Sequence, residues 1–391
     1  MDGYASSSSS MDVDGLKISL PPALRFSFRR AIIVSDVKMI KSIKNSKNFW
    51  KIFISIALAV LIFFGATAYF LLLHRYRGKE ISDEWNASDE FDITSVTTLT
   101  KNSGEDFVIL NLADVQLCDL EDFFTLPKMR KKIENLVNAV KPDLITLTGD
   151  QTWSNENLIS LKSLISWLEN LGVPYAPIFG NHDYGNEKNS AVLSENKCCD
   201  IYESAKHCLF KRGPTNLGAL GNYVINIVED GKIFKTIYML DSGYEDEITN
   251  GQKAWVLWNA EGIKNECGYY PEGIAFMHKP LPEYADAYRD YRLGGETESI
   301  GSVEVHYSLY GSSQNGFFEL AKSINIRDIV CGHQHGNNFT LLYQGVRLTF
   351  ALKTGELGGY YQDETVRLDG ATVMSLGTET KIENVFSTVF I

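Results

Sequence analysis

Five strand-length apolar runs in this chain each break off into residues of metal-binding type, and this repeated ending constrains the fold more than any other feature. "FVILNL" (107–112) leads to Asp114 and Gln116, "LITLT" (144–148) to Gly149-Asp150, and "VPYAPIF" (173–179) to Gly180-Asn181-His182-Asp183. Further on, "GIAFM" (273–277) ends at His278 and "DIVC" (328–331) opens into Gly332-His333-Gln334-His335. Helical spacing separates the first three runs. Pro127–Val140 carries apolar Met129, Ile133, Leu136, Val137 and Val140, with Pro127 suited to a first helical turn. Leu158, Leu161, Ile165 and Leu168 mark a second helix that Gly172 can terminate. Strand–helix–strand order predicts right-handed crossovers and a parallel sheet. Ligands of such sheets gather at the carboxyl ends of the strands, so residues far apart in sequence are expected to converge. The second half adds short strands ("YVINIV", "TIYMLD", "VRLTFAL") and helices at Trp255–Lys264 and Phe317–Ser323, which predicts two sheets flanked by helices.

The donors form a coherent set. Asp carboxylates, an Asn carbonyl and imidazoles suit Mn, Fe, Zn, Ni or Co better than a thiolate site would. They are too many for one ion and fit two sharing an Asp. A pair of ions a few ångströms apart can activate water and stabilise both oxygens of an in-line phosphoryl displacement. Four of the seven histidines lie in these motifs, and the other three, His74, His207 and His306, read as surface or stalk residues.

In this order, "ADxQ", "GD", "GNHD", "H" and "GHQH" resemble the calcineurin-like metallophosphoesterases. "GNYVINI", "YMLDSG", "GIAFMHKPLPEY", "NGFFELAK" and "IVCGHQHGNNF" extend the resemblance to the purple-acid-phosphatase-like branch, over about residues 106–360. The resemblance implies an α/β fold, a four-layer α/β/β/α sandwich preceded here by a single transmembrane helix. It implies Asp114, Gln116 and His335 around a first metal, Asp150 bridging, and Asn181, His278 and His333 around a second. The cofactors would be two divalent or mixed-valence ions (Fe, Mn or Zn). His182 would stand outside the ligand set, steadying phosphoryl oxygens or protonating the leaving alkoxide, and Asp183 would fix its loop. Gln116 departs from the family's His. Trp153 stands where purple enzymes carry an iron-binding Tyr, and where other members carry a carboxylate that pairs with the catalytic His. No tyrosinate-to-iron colour is therefore expected.

Ile52–Leu73 is 22 residues without a charge. At about 1.5 Å per residue it matches a bilayer core of about 30 Å. Fifty-one residues precede it and the apolar run continues past "ATA" (66–68), which favours a retained anchor over a cleaved signal. Lys38, Lys41, Lys44, Lys47 and Lys51 precede the span and only Arg75, Arg77 and Lys79 follow. That asymmetry predicts a cytoplasmic amino terminus, a type II membrane protein and a lumenal or extracellular domain. The expected divisions are a disordered cytoplasmic tail (1–51), the span (52–73), a polar stalk (74–104) and the metallophosphoesterase domain (105–391). Asn86-Ala-Ser and Asn338-Phe-Thr are glycosylation sequons on the expected side. Cys198, Cys199 and Cys208 are close enough in sequence for a disulfide loop, the alternative being free buried thiols. Beyond residue 79 there are 25 Lys and Arg against 45 Asp and Glu, which argues against a nucleic-acid partner.

The expected function is hydrolysis of a phosphate ester, a monoester first, with a phosphodiesterase of the same fold as an alternative. The rival of another class is a catalytically silent membrane glycoprotein that keeps the fold for binding, motivated by Gln116. Substrate, metal identities and oligomeric state stay open at this stage.

Overall fold

The computed structural model describes residues 47–118, 126–153, 155, 157–185, 191–242, 247–306, 309, 316–355 and 369–387. The expected tail up to residue 46 lies outside them. The chain divides into two units, 1–73 and 74–391.

In the first unit runs most of helix α1 (Lys47–Arg77). Its section Phe49–Tyr69 is long and apolar enough to cross a membrane. Side chains such as Ile54, Leu61, Phe63 and Leu71 are exposed along it.

The second unit contains β1 (Thr97–Thr100), β2 (Phe107–Leu112), α2 (Leu126–Val140), β3 (Leu144–Thr148), α3 (Asn157–Leu171), β4 (Tyr175–Ile178) and α4 (Glu195–Glu203). There follow β5 (Tyr223–Glu229), β6 (Lys232–Met239), α5 (Asn250–Cys267), β7 (Glu272–Phe276), α6 (Glu283–Arg292) and β8 (Glu298–Val305). The last are α7 (Phe317–Ser323), β9 (Ile326–Cys331), β10 (Asn337–Tyr343), β11 (Val346–Phe350), β12 (Gly370–Leu376) and β13 (Thr380–Phe386). The smaller sheet has the order β13-β12-β2-β3-β4, and the larger β1-β5-β6-β7-β9-β11-β10-β8. As the sequence predicts, β2, β3 and β4 are parallel and joined through α2 and α3. Gly172, at φ +69°, follows α3 where a helix stop was expected.

Alternation along the strands builds the layers. Ile225, Ile227, Ile237, Met239, Ile274, Phe276 and Val330 belong to one core with β2, β3, β4, α2 and α3. Their neighbours Val224, Tyr238, Ala275, Ile329 and Cys331 belong to a second core under α5, α6 and α7. A period of two sends successive side chains to opposite faces, so the larger sheet is apolar on both. The result is helices, sheet, sheet, helices, the four-layer α/β/β/α sandwich expected from sequence.

One expectation needs correction, and one open alternative is decided. Residues 81–104, read as stalk, are integrated into the domain. β1 pairs in parallel with β5, and Trp85 and Phe91 pack edge-on against Trp258 with ring centroids 5.9 and 5.3 Å apart. Trp85 also exchanges backbone hydrogen bonds with the Asn216 side chain, at 3.0 and 2.8 Å. The polar composition of this stretch hid two aromatic anchors and a short strand. The cysteines form no disulfide; all six are free thiols, with Cys198, Cys199 and Cys331 fully buried.

Candidate metal centre

All five motifs emerge at the carboxyl ends of β2, β3, β4, β7 and β9 and meet there. The backbone is bent sharply to bring them in. Asp114, Gln116, Asp150 and His333 have φ of 50°, 49°, 51° and 72°. That left-handed region costs an ordinary residue roughly 1–2 kcal/mol. The surrounding hydrogen bonds enforce it. The Asp114 amide donates to Gly149 O at 3.2 Å and the Gln116 amide to Asp150 O at 2.9 Å. The His333 amide donates to both Asp114 carboxylate oxygens at 3.1 Å. Backbone strain collected at one spot and held from several sides is typical of functional sites.

Two motif glycines exist because a neighbouring motif leaves no room for a side chain. A Cβ on Gly180 would lie 2.3 Å from both the amide nitrogen and Oδ1 of Asp150. A Cβ on Gly332 would lie 2.5 Å from Asp114 Oδ2.

Asp150, His278 and His333 place one donor atom each within 4.8 Å of one another, and so do Asp114, Asp150 and His335. Asp150 is common to both groups. Asn181 joins the former, its Oδ1 3.1 Å from His278 Nε2. Gln116 joins the latter, its Nε2 3.1 Å from His335 Nε2 and 3.5 Å from Asp150 Oδ2. All seven ligand candidates read from sequence therefore converge. The fit to two ions rests on these two overlapping donor groups and on an orphan: Gln116 Oε1 is buried with no hydrogen-bond partner, an acceptor left without a cation or donor.

Charge is organised around Asp150. Burial alone would raise its carboxyl, but His278 foremost, with His182 and His333, holds it well below the usual carboxylate range. Burial pulls His278 down, yet Asp150 and then Asp114 push it up to about 10. The His278 Nδ1 donates to Thr148 O at 2.9 Å, which turns Nε2 toward Asp150 and Asn181. Burial and the neighbouring His278 bring His333 down to about 3, so its ring is neutral, the form that coordinates metals.

His182 is partly open, its side chain 31% exposed. Its amide donates to Asp150 Oδ1 at 2.9 Å, and its ring lies 5.1 Å from the Trp153 ring, tilted by 32°. Asp183 does fix the loop: its carboxylate accepts from the amides of Gly180 at 2.8 Å and Thr152 at 3.0 Å. Burial, then Asp150, pushes the Asp183 carboxyl up to about 7.

A sequence profile of calcineurin-like phosphoesterases matches residues 107–337. The chain belongs to the calcineurin-like phosphoesterase family. Similar proteins include "Phosphatase DCR2" of Saccharomyces cerevisiae, 25% identical over 64% of this chain and 45% of that protein. "Probable inactive purple acid phosphatase 29" of Arabidopsis thaliana is 24% identical over 68% of this chain and 72% of its own length. The match thus spans less than half of the yeast phosphatase. Among solved structures, GAP50, the anchor in the inner membrane complex of Plasmodium, aligns over 72% of this chain and 85% of its own, with a TM-score of 0.44 and 10% identity. Purple acid phosphatase PPD1 of yellow lupin aligns over 72% of this chain and 52% of its own, with a TM-score of 0.41 and 11% identity.

Sequence reasoning erred at one polar position and missed another. Asn338 is buried in β10, its Oδ1 accepting from Asn384 Nδ2 at 2.7 Å; a glycan cannot be accommodated there. His306 is half-buried, and its amide donates to Gly336 O at 2.9 Å, beside the His333–His335 loop. The missed residue is Lys353, which follows β11, is 2% exposed, and forms a parallel bridge with Ala113, next to Asp114. Its signal was visible: a charge closing the apolar run "LTFAL", as an Asp, Asn or His soon follows each of the other five.

Proposed function

We propose that this protein is a dinuclear metal-dependent phosphoesterase, a phosphomonoesterase first, held to a membrane by α1 as a type II protein with its domain lumenal or extracellular. The observation that carries the reading is the pair of donor groups sharing Asp150. Asp114, Gln116, Asp150 and His335 would hold one ion, and Asp150, Asn181, His278 and His333 the other. When bound, the ions would acidify water and neutralise phosphoryl oxygens.

The chain's own residues supply the rest. Asp150, with its carboxyl held low, is ready to bind cations at neutral pH. The Thr148 carbonyl holds the Nδ1 proton of His278 and so aims Nε2 at the site, where without metal Asp150 keeps a second proton and an ion would bind in competition with it. His182, exposed beside Asp150, is placed to meet the phosphoryl group or to deliver a proton to the departing alkoxide. Trp153 covers one face of its ring, in place of a carboxylate, and orients it by contact rather than by charge. The name of the yeast relative, a phosphatase, supports activity.

The second reading is a silent member of the family. Gln116 favours it, as do the names of three Arabidopsis relatives, each a "probable inactive purple acid phosphatase". The survival of six of seven expected ligands weighs against it. The test is direct: purify the full chain in detergent, measure metal per chain, and assay an aryl phosphate with Mn, Fe, Zn and Mg across pH. Two ions and turnover abolished by Asp150→Asn support the enzyme. Less than one ion and no turnover under any condition support the silent member.

A further inference from the structure

Trp153 is an indole that neither core claims. Tryptophan ordinarily buries its large apolar area, yet among the described residues Trp153 packs with neither of the two cores. Its ring neighbour among them is His182, with centroids 5.1 Å apart and a tilt of 32°. The loop that leaves β3 surfaces at this residue. Asp150, Gln151 and Thr152 are at most 1% exposed, whereas Trp153 is half-buried. A large aromatic side chain thus stands where the loop reaches solvent, beside the metal centre.

Its backbone is fixed from two sides. The Trp153 amide donates to Leu117 O at 2.9 Å and the Leu117 amide to Gln151 O at 3.0 Å, and Leu117 and Thr152 form a parallel bridge. The Thr152 amide donates to the Asp183 carboxylate at 3.0 Å. The loop is therefore bonded both to the segment of Asp114 and Gln116 and to that of Asn181 and His182. His182 in turn points into the centre, its Nε2 4.0 Å from Asp150 Oδ2. Asp150, His182 and Trp153 follow one another outward from the donor groups, so an alcohol that departs beside His182 is set next to the indole. An indole is wider than an imidazole, and the two rings are not parallel, so contact with His182 leaves part of the indole face unused.

We propose that Trp153 is a specificity residue, a stacking platform for the alcohol side of the substrate, and that the preferred substrates are phosphate esters whose alcohol carries a planar aromatic ring. This rests on the phosphoesterase reading above and names the substrate class of that same site. The phosphoryl group lies at the donor groups that share Asp150, and the ring lies against the indole beyond His182. Hydrolysis transfers the phosphoryl group to water, and the ring-bearing alcohol departs with a proton. One ring stacked on an aromatic side chain strengthens binding by about tenfold. Every aromatic ring offers such a face, so the platform selects a class of esters. A nucleoside and a tyrosine side chain are the two common sources of the ring.

The test compares 2-phenylethyl phosphate with ethyl phosphate, whose alkoxides leave with similar ease, on the full chain in detergent with Mn²⁺. Wild type should favour the phenylethyl ester by about tenfold in kcat/KM, chiefly through KM. Trp153→Leu should bring the two esters to within about twofold, and Trp153→Phe should keep most of the preference; Trp153→Gln serves as a second non-aromatic variant. A disturbed His182 lowers both esters together, so the ratio separates the platform from the orienting contact. Calorimetric Kd values for the matching phosphonates read the same ratio without turnover. O-phosphotyrosine against O-phosphoserine, and adenosine 5′-monophosphate against ribose 5-phosphate, distinguish the two sources of the ring, and a preference that depends on Trp153 is expected in at least one pair. No phenylethyl preference in wild type, or one that the non-aromatic variants keep, overturns the proposal, and turnover of either ester leaves the phosphoesterase reading standing. A phosphonate preference that depends on Trp153, without turnover of any ester, supports the platform and overturns the enzyme. No turnover and no phosphonate bound overturns both.

Discussion

Gly180→Ala isolates what the close approach of two motifs is worth. Gly180 does not adopt a left-handed φ, so alanine meets no backbone penalty there, and any effect is steric. The added Cβ would lie 2.3 Å from the amide nitrogen of Asp150 and 2.3 Å from its Oδ1. Ordinary contacts begin near 3.5 Å, so the two chains must part by about 1 Å. The obstructing nitrogen is backbone and cannot rotate away. Overpacking of this kind costs about 1–3 kcal/mol. The displacement falls on Asp150, the residue shared by both donor groups, and on the loop carrying Asn181 and His182. A 1 Å misplacement at a reacting centre costs roughly a hundredfold in rate. Urea unfolding of the full chain should therefore show a loss of about 2 kcal/mol, with metal per chain reduced and aryl phosphate turnover down roughly a hundredfold. A variant that binds wild-type metal and unfolds within about 0.5 kcal/mol of wild type, the range of ordinary surface changes, would refute the argument that this glycine is set by Asp150.

Gln116→His replaces a carbonyl donor by imidazole, a better ligand for Zn or Fe, and should raise Zn²⁺ affinity at the Asp114 position by tenfold or more in a titration; unchanged metal content and activity would mean that Gln116 is not a ligand. Without metal, burial and then the neighbouring Asp150 push the Asp183 carboxyl up to about 7, well above the usual carboxylate range. The folded state then holds a proton that the unfolded chain has released, so stability should fall as pH rises from about 4 to 7. Asp183→Asn should flatten that slope in thermal unfolding, and an equally steep slope in the variant would point to another group. Asn86 is exposed, whereas Asn338 is buried; if the domain is lumenal, Asn86→Gln should abolish the glycosidase-sensitive shift in gel mobility and Asn338→Gln should change nothing. A shift that survives Asn86→Gln would contradict this.

The parts of the fold legible in sequence are those whose signal is local. β2, β3 and β4 are short apolar runs buried on both faces, and α2 and α3 carry apolar residues at helical spacing, so each declares itself within a few residues. β1, β8 and β13 do not. Each lies at a sheet edge or next to one, and its alternating or mostly exposed pattern, as in "TTLT" and "ESIGSVEV", has the composition of a loop. Only pairing with a distant strand, Thr97–Thr100 against Ile225–Val228 for instance, makes it a strand. The aromatic anchoring of Trp85 and Phe91 on Trp258 is likewise a contact across about 170 residues that no window of sequence contains.

The centre divides along the same line. Five of its ligands were legible because each is the first polar residue after an apolar run, Gln116 and His335 lie two positions beyond the first, and strand ends of a parallel sheet share an edge. What binds those ends together is non-local. The Asp114 carboxylate accepts from the amide of His333, 219 residues away, and Gln116 reaches His335 over the same separation. Asp150 takes its low carboxyl from histidines of three different loops. Asn338 shows the opposite failure, for a sequon records residue types and says nothing of burial. Lys353 is the case where both kinds of information are needed. Its place at the close of an apolar run marks it as unusual, but only its bridge to Ala113 sets this buried lysine beside the chain that carries Asp114.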